Sequence, residues 1–101
     1  MTRRFGTRAR VIDYSGYESI TVSGSASGLT TATVADHIAA LITVETAAVR
    51  FRLDGTNPTS SEGTALEIGD ELLLDSAQQL AGVNFIRRDG TSATLKCAYG
   101  S

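Results

Sequence analysis

His37 and Cys97 are the only histidine and the only cysteine in the sequence. Nucleophilic catalysis of the triad type needs a histidine held by an acid beside a nucleophile. His37 stands in an alanine-rich, apolar context with no signature serine or cysteine motif near it. Cys97 falls on the apolar side of an alternating run, and a buried thiol behaves chiefly as a small hydrophobe. A structural zinc site takes about four nitrogen or sulfur ligands, more than one His and one Cys supply. Asp70 and Glu71 are adjacent and would point to opposite faces of a strand. Asp54, Asn57 and Glu62 would line a loop able to face calcium. Their spacing matches no EF-hand, and turn formation explains Asp54 and Asn57 without a metal. The glycines of Ser23–Gly28 lack the lysine and helix of a phosphate-binding loop. The expectation is a chain with no catalytic site, no metal and no cofactor.

The arginines are the more informative charged residues. Arg3, Arg4, Arg8 and Arg10 stand within the first ten positions and give them a charge of +4. The other 91 residues carry five basic and eleven acidic side chains, a balance of −6. A basic arm thus precedes an acidic body. Such an arm either docks on an acidic partner or is a solvated terminus. Arg50 and Arg52 share one face of a strand. They read either as contacts to an acidic neighbour or as ordinary cross-strand partners of acids such as Glu45. Arg87 and Arg88 are adjacent and diverge. The acidic body has no basic face with interleaved aromatics, so direct nucleic-acid binding is not expected.

Positioning these residues falls to short strands. Thr, Ser, Val and Ile are frequent, and 10 Gly accompany 1 Pro; β-branched residues favour strands and glycine supplies turns. Arg3 to Ser15 reads as extended, with Tyr14 and Tyr17 flanking a Ser15-Gly16 turn. Glu18, Ile20 and Val22 alternate with Ser19, Thr21 and Ser23. Thr30 to Ala35 reads as extended, and Ile38, Ala40, Ile42 and Val44 form one face of the next run. Val49, Phe51 and Leu53 alternate with Arg50, Arg52 and Asp54 in the clearest strand. Further strands are expected over Leu66–Ile68, Leu72–Leu74, Asn84–Arg88 and Ser92–Tyr99, with a helical turn over Ser76–Gly82. Turns fall at Asp54-Gly55, Gly69-Asp70 and Asp89-Gly90, the last being the strongest hairpin signal. In the final run Ala93, Leu95, Cys97 and Tyr99 face inward. About seven short strands at this spacing predict a small all-β sandwich, jelly-roll or immunoglobulin-like. The division is an extended basic arm over 1–16 and a sandwich domain over 17–101.

No stretch approaches the roughly 20 apolar residues of a membrane span. No apolar run follows the basic start to make a secretion signal. A lone cysteine suits assembly in a reducing cytosol.

The run from Ala47 to Gly100 resembles small proteins encoded among the head and tail structural genes of tailed bacteriophages. The shared pattern is an amphipathic strand with Arg50 and Arg52, then the turn Asp54–Thr56 with Pro58 and Thr59. Gly63 and Gly69 flank an apolar strand, and Phe85–Arg87 and Ala93–Leu95 close the pattern. The resemblance extends from about Tyr17 onward and leaves the arm uncovered. It implies a virion structural protein, assembled in the host cytoplasm. Its preferred place is the capsid surface, as a decoration or cement protein bound to the major capsid protein and homo-oligomeric on the particle. Arg3, Arg4, Arg8, Arg10, Arg50 and Arg52 are then the candidate partner contacts. A tail or neck position is the alternative. The ten residues from Arg50 to Thr59 are also similar to a strand and turn of immunoglobulin-like modules attached to bacterial glycoside hydrolases. That likeness would imply a carbohydrate-binding module, for which three Tyr, three Phe and no Trp are a poor supply of aromatic platforms.

Overall fold

The structure, a computed structural model, describes residues 4–5, 13–30 and 34–101, the first pair by backbone alone. Two sheets face each other. The larger contains β1 (Arg4–Phe5), β2 (Tyr14–Val22), β3 (Ala39–Glu45), β6 (Glu71–Leu74) and β8 (Ala93–Gly100), in the order β1-β6-β3-β8-β2. The smaller contains β4 (Val49–Arg52), β5 (Thr64–Leu66) and β7 (Asn84–Arg87), in the order β5-β4-β7. Every pairing is antiparallel except β1 with β6. The expected all-β sandwich is therefore the architecture.

Alternation and register together build the core. On the large sheet Ile42 lies between Cys97 and Leu72, and Val44 pairs with Leu95. All five are buried. On the small sheet Val49 and Phe51 face them, with Phe51 and Phe85 tilted at a ring separation of 6.2 Å. The residues between these, Arg50 and Arg52 on β4 and Thr94 and Lys96 on β8, are partly exposed, as period-two alternation requires. A single-turn helix, α1 (Ala77–Gly82), spans β6 and β7. The Ser76 side chain accepts from the Gln79 N–H at 3.1 Å, and the Gln79 side-chain oxygen accepts from the Asp75 N–H at 3.0 Å. The first bond satisfies a donor that a helix start leaves open, and the second ties down the residue before the cap. Leu80 then reaches the core.

Several local expectations change. Asp89-Gly90 joins β7 of the small sheet to β8 of the large one, so it is a crossing between sheets and not a hairpin. A two-residue type I′ hairpin needs positive φ at both central residues, and neither Asp89 nor Gly90 has it. Ser15-Gly16 is a register shift inside β2, not a turn. Strand β2 consequently runs through the boundary expected at 16/17. The Val34 N–H donates to the Thr30 carbonyl at 3.0 Å and the His37 N–H to that of Val34 at 3.3 Å. That is helical-turn bonding at the described ends of a stretch expected to be extended. Strand β5 ends at Leu66, leaving Ile68 62% exposed in the turn, and β4 ends before Leu53.

Positive φ marks where the chain turns most sharply. Gly55 (81°) and Gly69 (89°) occupy the expected Asp54-Gly55 and Gly69-Asp70 turns. Thr46, at 77°, takes the same conformation without being glycine, where β3 crosses to β4. On one side the sheets are stitched together. The Arg87 N–H donates to the Ser23 carbonyl at 3.0 Å, and Ser27 and Phe85 exchange two bonds at 2.9 and 2.8 Å.

Candidate partner-binding surface

The arginines expected to reach outward are divided by the fold. Arg3, Arg8 and Arg10 lie outside the described residues. Arg4 is placed by its backbone only, in register with Glu71 on β6. Two positions of the arm thus extend the chain's own sheet.

Arg50 turns back on its own domain. Its Nε donates to the Ser60 carbonyl and its Nη1 to the Gly63 carbonyl, each at 2.9 Å. These bonds pull the long loop between β4 and β5 onto the outer face of the small sheet, where Pro58 is buried. Gly63 fits because a Cβ there would lie 3.1 Å from the Phe51 carbonyl oxygen and 3.2 Å from Pro58 Cβ. Arg52 makes a bidentate pair with Asp54, through Nε at 3.1 Å and Nη2 at 2.5 Å. The expected pairing with Glu45 is replaced by this neighbour two residues away, since Glu45 belongs to the other sheet. The Arg52 hydrogen bonds hold the Asp54 carboxyl below its ordinary range, with help from the Thr56 N–H at 3.2 Å. Asp54 is thereby occupied as a turn-former. Among the described residues no group of three or more His, Cys, Asp or Glu side chains is placed to hold a metal.

A polar corner interrupts the inner face of the large sheet. Tyr99 is fully buried, and its hydroxyl donates to Glu18 Oε2 at 2.5 Å. Thr30 donates to Glu18 Oε1 at 2.5 Å. The His37 ring packs on Tyr99 at 5.6 Å and also against Gly16, where a Cβ would sit 3.0 Å from His37 Cε1. Burial first, then the bond to Glu18, raises the Tyr99 phenol well above its usual range. Cys97, fully buried on the same strand, is pushed up to about 12, chiefly by burial. The thiol is protonated at neutral pH and unsuited to attack. The bonds joining Glu18 to Tyr99 and Thr30 were not legible in the sequence. The one signal was Glu18 itself, a carboxylate sharing a strand face with Ile20 and Val22.

What remains outward is an edge. Among the described residues β2 pairs on one side only, with β8. It is nine residues long, contains no proline or lysine, and exposes Tyr17 by 65% and Tyr14 by 37%. Unpaired N–H and C=O groups along such an edge are available to another strand. Among the described residues no helix is long and apolar enough to cross a membrane. Comparison with protein-family models, curated protein sequences and solved structures returns no match.

Proposed function

We propose that this chain is a structural protein of a bacteriophage particle, acting by binding and assembly rather than by catalysis. The position proposed is the head, as a decoration or cement protein that engages the major capsid protein in many copies. The observation that carries the reading is the long edge of β2, unpaired on one side among the described residues, beside polar groups that mostly serve the domain itself. Arg50, Arg52, Glu18 and Tyr99 hold loops and strands in place, while β2 offers main-chain bonds and two tyrosines outward. The phage-like pattern from Arg50 to Leu95 supports the choice of particle. The charge split supports an arm that meets an acidic surface. In a lattice of identical sites, weak contacts per subunit gain by avidity when subunits join.

The test is reconstitution on expanded capsids lacking the protein. The full chain should co-sediment with shells, and deletion of residues 2–10 should lower occupancy. Undiminished occupancy after that deletion would remove the arm as anchor. Gold label confined to the tail or neck would replace the head with that position. Absence from purified particles would end the proposal.

A further inference from the structure

An open groove of about 550 Å³ lies at one end of the sandwich, lined by Gly24, Thr59, Ser60 and Ile86 to Gly90. Two guanidiniums and one carboxylate line it, those of Arg87, Arg88 and Asp89. They are not equivalent. Arg88 is already neutralised, with ion pairs to Glu67 and, at 3.3 Å, to Asp89. Arg87 is half-buried, and among the described residues its side chain makes one hydrogen bond, a long 3.3 Å contact from Nη1 to the neutral Ser92 hydroxyl. Among the described residues its guanidinium meets no carboxylate within ion-pair distance. A guanidinium carries five N–H donors in a planar fork, so most of its donor capacity is unspent.

Its seat is shaped for it. A Cβ on Gly24 would lie 3.2 Å from Arg87 Nη2 and 3.3 Å from both Cζ and Nε. These near-equal distances mean that the guanidinium plane lies flat over Gly24, leaving its edge for a ligand. Thr59 and Ser60 close the opposite side of the lining. A partly desolvated cation with unused in-plane donors favours a planar, bidentate anion.

We propose that this groove is a carboxylate-binding site with Arg87 as its anchor. With Arg88 paired to Glu67 and Asp89, Arg87 offers the groove a single positive charge, which suits a monoanion and disfavours a dianion such as phosphate. Its volume exceeds a bare carboxylate, so the group arrives on a small acid, a sugar acid or an acidic side chain. The proposal is independent of the virion reading: loss of capsid binding would leave it standing, and its own failure would leave the virion reading intact.

The experiment is amide NMR titration of the full chain with acetate, glucuronate and N-acetyl-aspartate amide, with inorganic phosphate at pH 8 as the dianion. Saturable shifts are expected at Gly24, Ser60, Gly90 and the Arg87 Nε–H, with phosphate weaker than each carboxylate. The tightest of the three carboxylates identifies the source. Arg87→Gln should weaken binding by about tenfold or more, and Arg87→Lys should fall between, because a point charge replaces the fork. Gly24→Ala should weaken binding while keeping the charge, and it carries the test together with Arg87→Lys if Arg87→Gln does not fold. Linear shifts without saturation, or equal affinity in the Arg87 and Gly24 variants, would overturn the site. Phosphate binding as tight as carboxylate would overturn the monoanion assignment.

Discussion

Two neighbouring arginines with the same face and the same strand do different things. Arg50 bridges two carbonyls of a loop ten and thirteen residues away; Arg52 pairs with a carboxylate two residues away. Hydrogen bonds to charged groups contribute about 1.5–3 kcal/mol when they hold structure, whereas exposed local ion pairs contribute little. Arg50→Ala is therefore expected to destabilise by about 2 kcal/mol in urea unfolding and to expose residues 53–63 to proteolysis. Arg52→Ala should leave the urea midpoint unchanged. Cys97 sets a second expectation. Its folded pKa is raised, so its contribution to stability is complete below the unfolded value near 9.0 and is lost as pH rises towards about 12. The fall is at most about 1.4 kcal/mol per pH unit, since the unfolded chain releases a proton that the folded one keeps. Tyr99, also raised, adds the same sign above its unfolded value of 10.0. Urea midpoints between pH 8 and 11 measure this slope, and Cys97→Ala should flatten it between 9 and 10.

At the level of elements, crossings between sheets decide the topology. The chain passes from one sheet to the other at β3–β4, β5–β6, β6–β7 and β7–β8, and only β4–β5 are sequential neighbours within a sheet. The β3–β4 crossing holds Thr46 at a φ of 77°. A β-branched residue there is strained by about 1–3 kcal/mol. Thr46→Gly relieves that strain at the cost of a weak 3.4 Å hydroxyl contact with Thr94. It should raise stability by about 0.5–1 kcal/mol in thermal or urea unfolding, after the greater freedom glycine gives the unfolded chain.

These elements also show what could be read beforehand. The inward faces of β2, β3, β4 and β8 were legible because alternation is a property of each strand alone. The inward position of Cys97 followed from it. Partner choice was not legible, because it depends on distant strands, as when Tyr14 pairs with Gly100. Asp89-Gly90 looked like a hairpin since turn chemistry reports a bend, not which sheet the next strand joins. Likewise Arg50 and Arg52 were legible as a shared face, but their different partners came from a loop whose path no local pattern encodes. Arg87 was legible as a charge; its seat on Gly24 needed the stitched side of the sandwich.

For the whole molecule, stability should be graded from centre to edge. β3 and β8 are paired on both sides, while β5 is a three-residue edge. Amide hydrogen exchange should be slowest at Ile42, Val44, Leu95 and Cys97 and fastest in β5 and the 53–63 loop. Pairings such as β2 with β8 close very long loops, so folding is expected in milliseconds to seconds by stopped flow, not microseconds.

The same β2–β8 pairing has a mechanical meaning. Asp13 and Ser101 exchange two backbone bonds, at 3.1 and 3.2 Å, where these two antiparallel strands meet. A load applied between residues 13 and 101 would act across the ladder at its end. It would open the bonds one after another, as a zipper opens, instead of shearing them together. Pulled there, the sandwich yields at low force, beginning with β2. Pulled between Asp13 and the opposite end of β8, at Ala93, the same ladder would bear its bonds in parallel and hold far longer. How such a domain resists tension thus depends on where its neighbours grip it.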